Sequence, residues 1–597
     1  MAIIEKEDFS GIKRTIPGVY GKFQSPTSQA VNLDLNTLVI IGGADNAPYY
    51  GDTTKSFEER YITVGSFQDA KNILKGGELL EAVNLAKSPA KDTEKPVFNL
   101  SKGASLYKLV NINPNVAATI TLDSTKATNT HTITYGMPGT YGNKVRVRKI
   151  LADKKIQVNT PDGSSESSVL EKKVFELTYT GDATTAILAI DSTGITVILT
   201  GQTDESTNLS VLFADYPRLG DAIEYINSQQ GYVAIMLDVP SFELSNLDHI
   251  EAAEAIDVKL IKTIHADLYA EIQYIEGTGL GKFTTIATVR KPLADMTVFK
   301  FFSGGSIGTP SANDMKGAID FSKTITGMFR NVLTSNISDL LYFKSACSDM
   351  IASGNETVGG CGGAVPTSEI LSVRQANARQ LAGYVKYGVS PFYAYDLNGI
   401  KKEYPGYMLA VLDNAISASV SPRISATHKY LSPVLDTSEV LSRDIGGDLE
   451  KTIQAGGLAI SRKSQSQPFW IERSITTESA LNPIKTDSAT FAGALTSVKT
   501  IRERLEPLIG MSTVDKNAKV QGVTEQDLIR EFDSALQYLM EQGFLVGSEL
   551  LGITPFDEEY KLRLDGDAVY VEMKGRSFSV INFIFFLIGL EEIQGTV

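Results

Sequence analysis

Only two cysteines, Cys347 and Cys361, occur in 597 residues. Two thiols cannot build a disulfide framework or a four-ligand zinc site, and they are expected to stay reduced in a chain that folds in a cytoplasm. Histidine is as scarce. His131, His249, His265 and His428 lie far apart, and neither His-Glu-x-x-His nor Cys-x-x-Cys occurs. Basic clusters are missing too: 56 Lys and Arg stand against 70 Asp and Glu, a net charge of −14. That balance disfavours a surface built to neutralise nucleic-acid phosphates. The most apolar run is too short to span a bilayer as a helix. The opening Met1-Ala2-Ile3-Ile4-Glu5-Lys6-Glu7-Asp8 lacks the basic-then-apolar order of a signal peptide. The expectation is a protein made, and first used, inside a cell.

What is present is an ordinary globular composition, 42% hydrophobic and 21% charged. The length exceeds what one hydrophobic core organises and predicts about three to four domains. Residues 1–30 hold no amphipathic helix and read as an extended arm, with Ile16-Pro17-Gly18-Val19-Tyr20 as Pro-Gly punctuation. Leu38-Val39-Ile40-Ile41 before Gly42-Gly43 reads as a buried strand. Phe67–Leu74 and Gly76–Ala86 read as two short helices joined at a glycine pair, with Leu79, Val83 and Ala86 on one apolar face. From about Thr125 short alternating segments dominate, as in Val145–Arg148, Val174–Tyr179 and Ile195–Leu199. Helices are expected at Leu219–Asn227 and from Leu247. Residues 126–295 are therefore expected to be one or two β-rich or mixed domains inserted into a larger fold.

Strands alternating with helices return from Met296, which predicts an α/β, partly parallel sheet. Strands are expected at Met296–Phe302, Leu340–Phe343 and Phe392–Tyr395. Helices are expected from the Ser311-x-x-Asp314 capping box, over Ile370–Leu381 and from Pro405 to Ser417. Leu458–Arg462 and Phe469–Arg473 read as a hairpin. The helix from Phe491 is expected to bury Leu495, Val498, Ile501 and Leu505. Thr524-x-x-Asp527 caps another, with Leu528, Phe532, Leu536 and Leu539 inward.

No pattern of residues carries a strong chemical reading. Gly304-Gly305-Ser306-Ile307-Gly308 matches a nucleophile elbow in letters, but Thr309-Pro310 and a separate helix cap at Ser311 intervene. His428 is the one downstream base for Ser306. Gly277-Thr278-Gly279-Leu280-Gly281-Lys282 fails as a phosphate loop, since Glu276 precedes it and Phe283 stands where a hydroxyl is needed. Gly359–Gly363 reads as a flexible strand-to-loop connection, and Glu251 with Glu254 as a solvated helix face. No catalytic residue, cofactor site or metal site is assigned.

The C-terminal tail is the most distinctive stretch. Tyr560–Leu564 and Val569–Met573 alternate around Asp565-Gly566-Asp567, the pattern of a hairpin. Phe578–Leu590 follows, apolar on both faces. Such a strand needs cover on both sides, supplied either by its own subunit or by a neighbour.

Several segments, in one order over most of the chain, resemble the tail sheath proteins of contractile bacteriophages. Ile16–Tyr20 resembles that family's N-terminal arm motif. Phe67-x-x-Ala70 through Gly76–Ala82 resembles its helix-glycine-helix element, and Tyr141–Val147 the start of its inserted β domain. Phe302–Gly305 resembles the return to the core, and Gly406–Leu412 with Gly457–Arg462 its central helix and strand. The resemblance implies a multidomain α/β (α+β) chain: a core from both chain ends (31–125 and 296–575), an insert (126–295), and arms at 1–30 and 576–597. It implies a structural subunit that polymerises as stacked rings around a tail tube and contracts without nucleotide, driving the tube through a host envelope for genome ejection. Partners would be the tail tube, baseplate and tail terminator proteins, on a virion assembled in the host cytoplasm. Inter-subunit contacts would fall on Ile16, Pro17, Gly18, Val19, Tyr20, Phe578, Val580, Ile584, Phe586 and Ile588, whose strands would join neighbouring sheets. The sheath of a bacterial contractile injection system or phage-tail-like bacteriocin is the near alternative. An α/β enzyme would need a convergent polar site, and a surface-layer protein an export signal.

Overall fold

The computed structural model describes residues 35–48, 56–91, 102–128, 130–419, 421–478, 487–508 and 522–547, with short stretches near both ends. Strand β1, Thr37–Gly42, is buried along its whole length. Its alternation divides two cores: Leu38 and Ile40 point into one, Val39 and Ile41 into the other. Strand β2 (Tyr61–Val64), helices α1 (Phe67–Leu74) and α2 (Glu78–Ala86) and strand β3 (Leu106–Asn111) complete the first block. Ser66 caps α1 through Asp69 N–H, and Lys75 ends it in the left-handed conformation.

The chain then enters the insert earlier than residue 126. Strands β4 (Thr119–Leu122) and β5 (His131–Tyr135) already pair with each other. Strands β6 (Arg146–Ile150) and β7 (Lys155–Thr160) follow, and with them an inner β module begins. An outer module is nested inside it. This holds β8 (Lys173–Tyr179), β9 (Thr185–Ile190), β10 (Gly194–Thr200), β11 (Leu209–Leu212), α3 (Leu219–Ser228), β12 (Tyr232–Met236) and β13 (Lys262–His265), around a core of its own. The inner module resumes with α4 (Asp267–Gly277), β14 (Gly281–Thr285) and β15 (Lys300–Phe301). Because β15 pairs with β6, and Met296 and Phe302 are buried in the inner core, 296–302 belongs to the insert and not to the sheet of the core. No helix starts at Leu247: Leu244–Asn246 is a single 3-10 turn. The chain there runs extended, held by Asp248 N–H to the His265 carbonyl (3.0 Å) and His249 N–H to that of Arg290 (2.7 Å).

The joint between the two modules gathers Asp248, Asp267 and Glu271, the last paired with buried Lys149. Asp248 accepts Asp267 N–H (2.7 Å) and Leu268 N–H (3.2 Å), capping α4 from the outer module. Burial beside Asp267 and Glu271 pushes its carboxyl up to about 7, against the two N–H bonds. A folded-state value raised above the unfolded 3.8 means that the contribution of Asp248 to stability is greatest in acid and is lost as pH rises from about 4 through 7. Asp248→Asn keeps an acceptor and removes the titration. It is expected to flatten that decline, read as amide-exchange protection of the insert at pH 4 to 8; an unchanged slope would acquit Asp248.

The second core block contributes α5 (Ala312–Ser322), β16 (Phe329–Val332), α6 (Ile337–Ala352), β17 (Val358–Gly362), α7 (Leu371–Gln380), β18 (Val385–Gly388), α8 (Gly406–Ser419) and β19 (Gly457–Leu458). The sheet order is β19-β18-β17-β16-β1-β3-β2, parallel except for β2. Both chain blocks therefore share one sheet across the insert. Helices α2 and α8 cover one face; α5, α6 and α7 cover the other. Leu340–Phe343 is part of α6, not a strand: Asn336 caps the helix, and Leu340, Phe343, Cys347 and Met350 recur at helical spacing on its buried side. Gly359–Gly363 is not a flexible connection either. It is mostly β17, a wholly buried strand in mid-sheet. After the core, α9 (Ser488–Leu505) and α10 (Glu525–Glu541) form a helical layer, capped by Asp487 and by the Thr524–Asp527 box. The Ser311–Asp314 box is likewise formed. Val498 points outward from α9, 55% exposed, because α10 packs against the other side.

Candidate functional site

The polar groups that carry chemistry are not brought together. Ser306 is exposed in the insert, bonded through its backbone to Val116 (3.1 and 2.9 Å), and the next helix starts only at Ala312. His428 sits on the core beside Trp470, 3.7 Å from Glu472. Gly277 ends a helix and a strand follows, the reverse of the strand-then-helix order of a phosphate loop. Glu251 and Glu254 form a capping box on a 3-10 turn and pair with Lys126 (2.5 Å) and Lys291 (2.6 Å). Both cysteines are buried, and burial pushes the Cys347 thiol up to about 12, far from a reactive thiolate. Among the described residues no three His, Cys, Asp or Glu side chains gather as metal ligands.

The structure instead concentrates its polar chemistry at joints. Asn111, Asn113 and Asn115 clamp the loop after β1. Asn111 Oδ1 accepts the N–H groups of Ala44 (3.1 Å) and Asn113 (3.0 Å), while Asn113 and Asn115 donate to the Ala44 carbonyl (2.9 and 3.2 Å). The same loop holds the insert, through Ala47 N–H to Pro138 O (2.8 Å) and Tyr141 N–H to Asn46 Oδ1 (3.1 Å). Lys75 from the end of α1 pairs with Asp162 (2.6 Å) and lies over the Tyr141 ring (4.4 Å). Core and insert thus meet in a hydrogen-bonded seam. Its signal in the sequence is asparagine at every second position of 111–115, a pattern that periodicity of apolar residues does not pick out.

A second joint lies under α8, whose first turn rests on glycine. A side chain on Gly388 would stand 1.9 Å from the Gly406 carbonyl oxygen, and one on Gly362 would stand 2.4 Å from Tyr407 N. Below the next turn Lys386 and Asp413 form a fully buried ion pair, with Ser474 Oγ donating to Asp413 (3.0 Å). The third joint is the C-terminal layer. Phe578 packs with Phe532, Leu536, Leu539, Phe544 and Leu545, directly over Gly493. Val546 N–H donates to the Arg576 carbonyl (2.9 Å), and Arg576 N–H to that of Pro555 (2.8 Å). Phe578 therefore begins the apolar tail against its own chain. The hairpin before it is paired, Leu562 opposite Val571 and Leu564 opposite Val569. Ile16, Pro17, Gly18, Val19, Tyr20, Val580, Ile584, Phe586 and Ile588 lie outside the described residues.

No known protein family and no curated protein matches this chain in sequence. Solved structures do match. A sheath tail protein from Desulfitobacterium hafniense superposes with TM-score 0.52 at 11% identity, over 94% of this chain and 97% of that one. A sheath tail protein from Listeria innocua gives TM-score 0.47 and 12% identity, over 91% and 94%. The anti-feeding prophage helical sheath in its contracted state covers 48% of this chain and 78% of its own, at TM-score 0.34 and 12% identity. The first of these fixes the architecture. This chain has the fold of the sheath tail proteins, an α+β multidomain fold whose core is made by both halves of the sequence.

Proposed function

We propose that this chain is the structural subunit of a contractile bacteriophage tail sheath. The observation that carries the reading is the likeness over 94% of this chain and 97% of a sheath tail protein at 11% identity. A core sheet shared by both chain blocks, with the insert hung on one seam, suits a subunit that must stay rigid while a lattice moves. The arm at 1–30 and the apolar tail after Phe578 reach neighbouring subunits as added strands. Heterologous contacts of that kind do not close, so they generate a helix of stacked rings. The subunit grips a tail tube, ends on baseplate and terminator proteins, and works in a virion. No catalysis is assigned to it: the extended lattice stores the energy that contraction releases.

The test is the tail. Ile584 and Phe586 are two apart, so in the proposed added strand they would share one side, and each side chain, once buried by a neighbour, would contribute about 1.5–3 kcal/mol. Ile584→Lys with Phe586→Lys is expected to leave circular dichroism and melting unchanged while long sheaths vanish in electron micrographs. A variant that unfolds instead makes the tail an internal strand, and one that assembles normally contradicts the arm reading outright.

A further inference from the structure

One face of the inner module carries two arginines with no ionic partner among the described residues. Its sheet runs from the short strand Gly163–Glu166 through β7 and β6 to β15. Val147, Ile156 and Val158 point into the module's core. Arg146 and Arg148 therefore alternate to the other side, in rows with Gln157, Asn159 and Phe301. The Arg146 guanidinium carbon lies 4.8 Å from the Phe299 ring centroid and 5.6 Å from that of Phe301. That of Arg148 lies 5.2 Å from Phe299, so two like charges share one ring. Arg148 Nε is buried and has no hydrogen-bond partner.

Nearby lysines are paired: Lys75, Lys154, Lys155 and Lys300 with Asp162, Glu171, Glu166 and Asp123. Glu166 is the one carboxylate on the strands of this face. It stands two strands from Arg148 and holds Lys155 (2.8 Å) and Gln157 (2.6 Å). At one margin Asp295 accepts Leu151 N–H (2.9 Å) beside exposed Asp153, and exposed Lys144 stands at the other. A ring beside each guanidinium holds its plane and leaves the fork of donors uncommitted. That fork matches a carboxylate, and an anion at the pair also relieves their mutual repulsion.

The same insert carries the complementary charge. Residues 171–265, the outer module, hold fifteen Asp and Glu against five Lys and Arg, a net −10. The inner module, 116–170 with 266–306, holds eight against eleven, and the rest of the chain forty-seven against forty. Asp182, Glu205, Asp215, Asp221 and Glu224 of the outer module are exposed and, among the described residues, form no ion pair. We infer that the Arg146–Arg148 face of one subunit binds carboxylates on the outer module of a second copy. The chain's own outer module leaves both arginines unpaired, so the carboxylates come from another molecule. A second copy brings most of the chain's negative charge in one module, at one per face. The contact joins two different surfaces, so it propagates and does not close into a pair. It rests on the sheath reading and adds to it an electrostatic link between neighbouring inserts.

The test uses the full chain. Arg146→Lys and Arg148→Lys keep the charge and supply an amine that a carbodiimide couples to a carboxylate in contact with it. In an equal mixture of unlabelled and nitrogen-15 protein, the expected links run from positions 146 and 148 to residues 171–265 of another copy. Both arginines are half-buried, so Arg146→Glu with Arg148→Glu is expected to melt as the wild type does. It should lower by about twofold or more the salt concentration at which copies separate in sedimentation. Links from these positions that stay within one copy, that reach only the core of a neighbour, or that do not form overturn the inference. An unchanged salt midpoint does so too. Electron microscopy of the cross-linked sample keeps the sheath reading separate. Tubes without these links sink the contact alone; links between copies without tubes sink the sheath reading alone.

Discussion

Gly388→Ala is expected to leave no stably folded core. The new methyl carbon would lie 1.9 Å from the Gly406 carbonyl oxygen and 2.7 Å from its carbon, both backbone atoms at the start of α8. Backbone cannot yield as the end of a flexible side chain does, so the helix must lift from β18. Thirteen of the fourteen residues of α8 are buried, and lifting it opens the larger core of the molecule. We expect a loss above about 4 kcal/mol, at the extreme of single substitutions, seen as insoluble expression or a collapsed urea midpoint. Gly277→Ala, at a helix end with nothing within 4 Å, should be near neutral and controls for generic glycine loss. An ordinary midpoint for Gly388→Ala would mean that α8 does not seat as described.

The second large effect is a single change that a double change repairs. Lys386 and Asp413 are 1% and 0% exposed, and each is the ionic partner of the other. Lys386→Met strands a buried carboxylate and is expected to cost about 3–5 kcal/mol. Lys386→Met with Asp413→Leu removes both charges from the same space and should return to within about 1 kcal/mol of wild type, Ser474 keeping Ser488 as its partner (2.5 Å). A double variant as unstable as the single would show that the polar network, and not the pairing, holds α8. Denaturant unfolding of the three proteins decides between them.

The parts that were legible in the sequence are those in which local signals agree with one another. The helix-glycine-helix pair at 67–86, the capping boxes at Ser311 and Thr524, and the strand at 37–42 each have periodicity and punctuation pointing one way. Misreadings fall where composition and environment part. Leu340–Phe343 is apolar enough for a strand, and only the continuation to Met350 reveals the helix. Gly359–Gly363 looks like a loop because glycine's use there, letting α8 lie against β17 and β18, depends on a contact across more than forty residues. Texture places exit and return of the insert at 126 and 295, while pairing across its base already joins Val116 to Ser306 and Thr119 to Ser303. The arms were visible as oddities, an extended start and an end apolar on both sides, because their partners belong to another subunit in the function proposed.

Electron microscopy of the purified full-length chain bears most directly on that function. The account predicts hollow tubes of stacked rings, wide enough to enclose a tube, with the insert projecting outward and each subunit joined to its neighbours by strands from both termini. Monodisperse single subunits across a range of concentration and salt, with residues 579–590 folded back into their own chain, would contradict it.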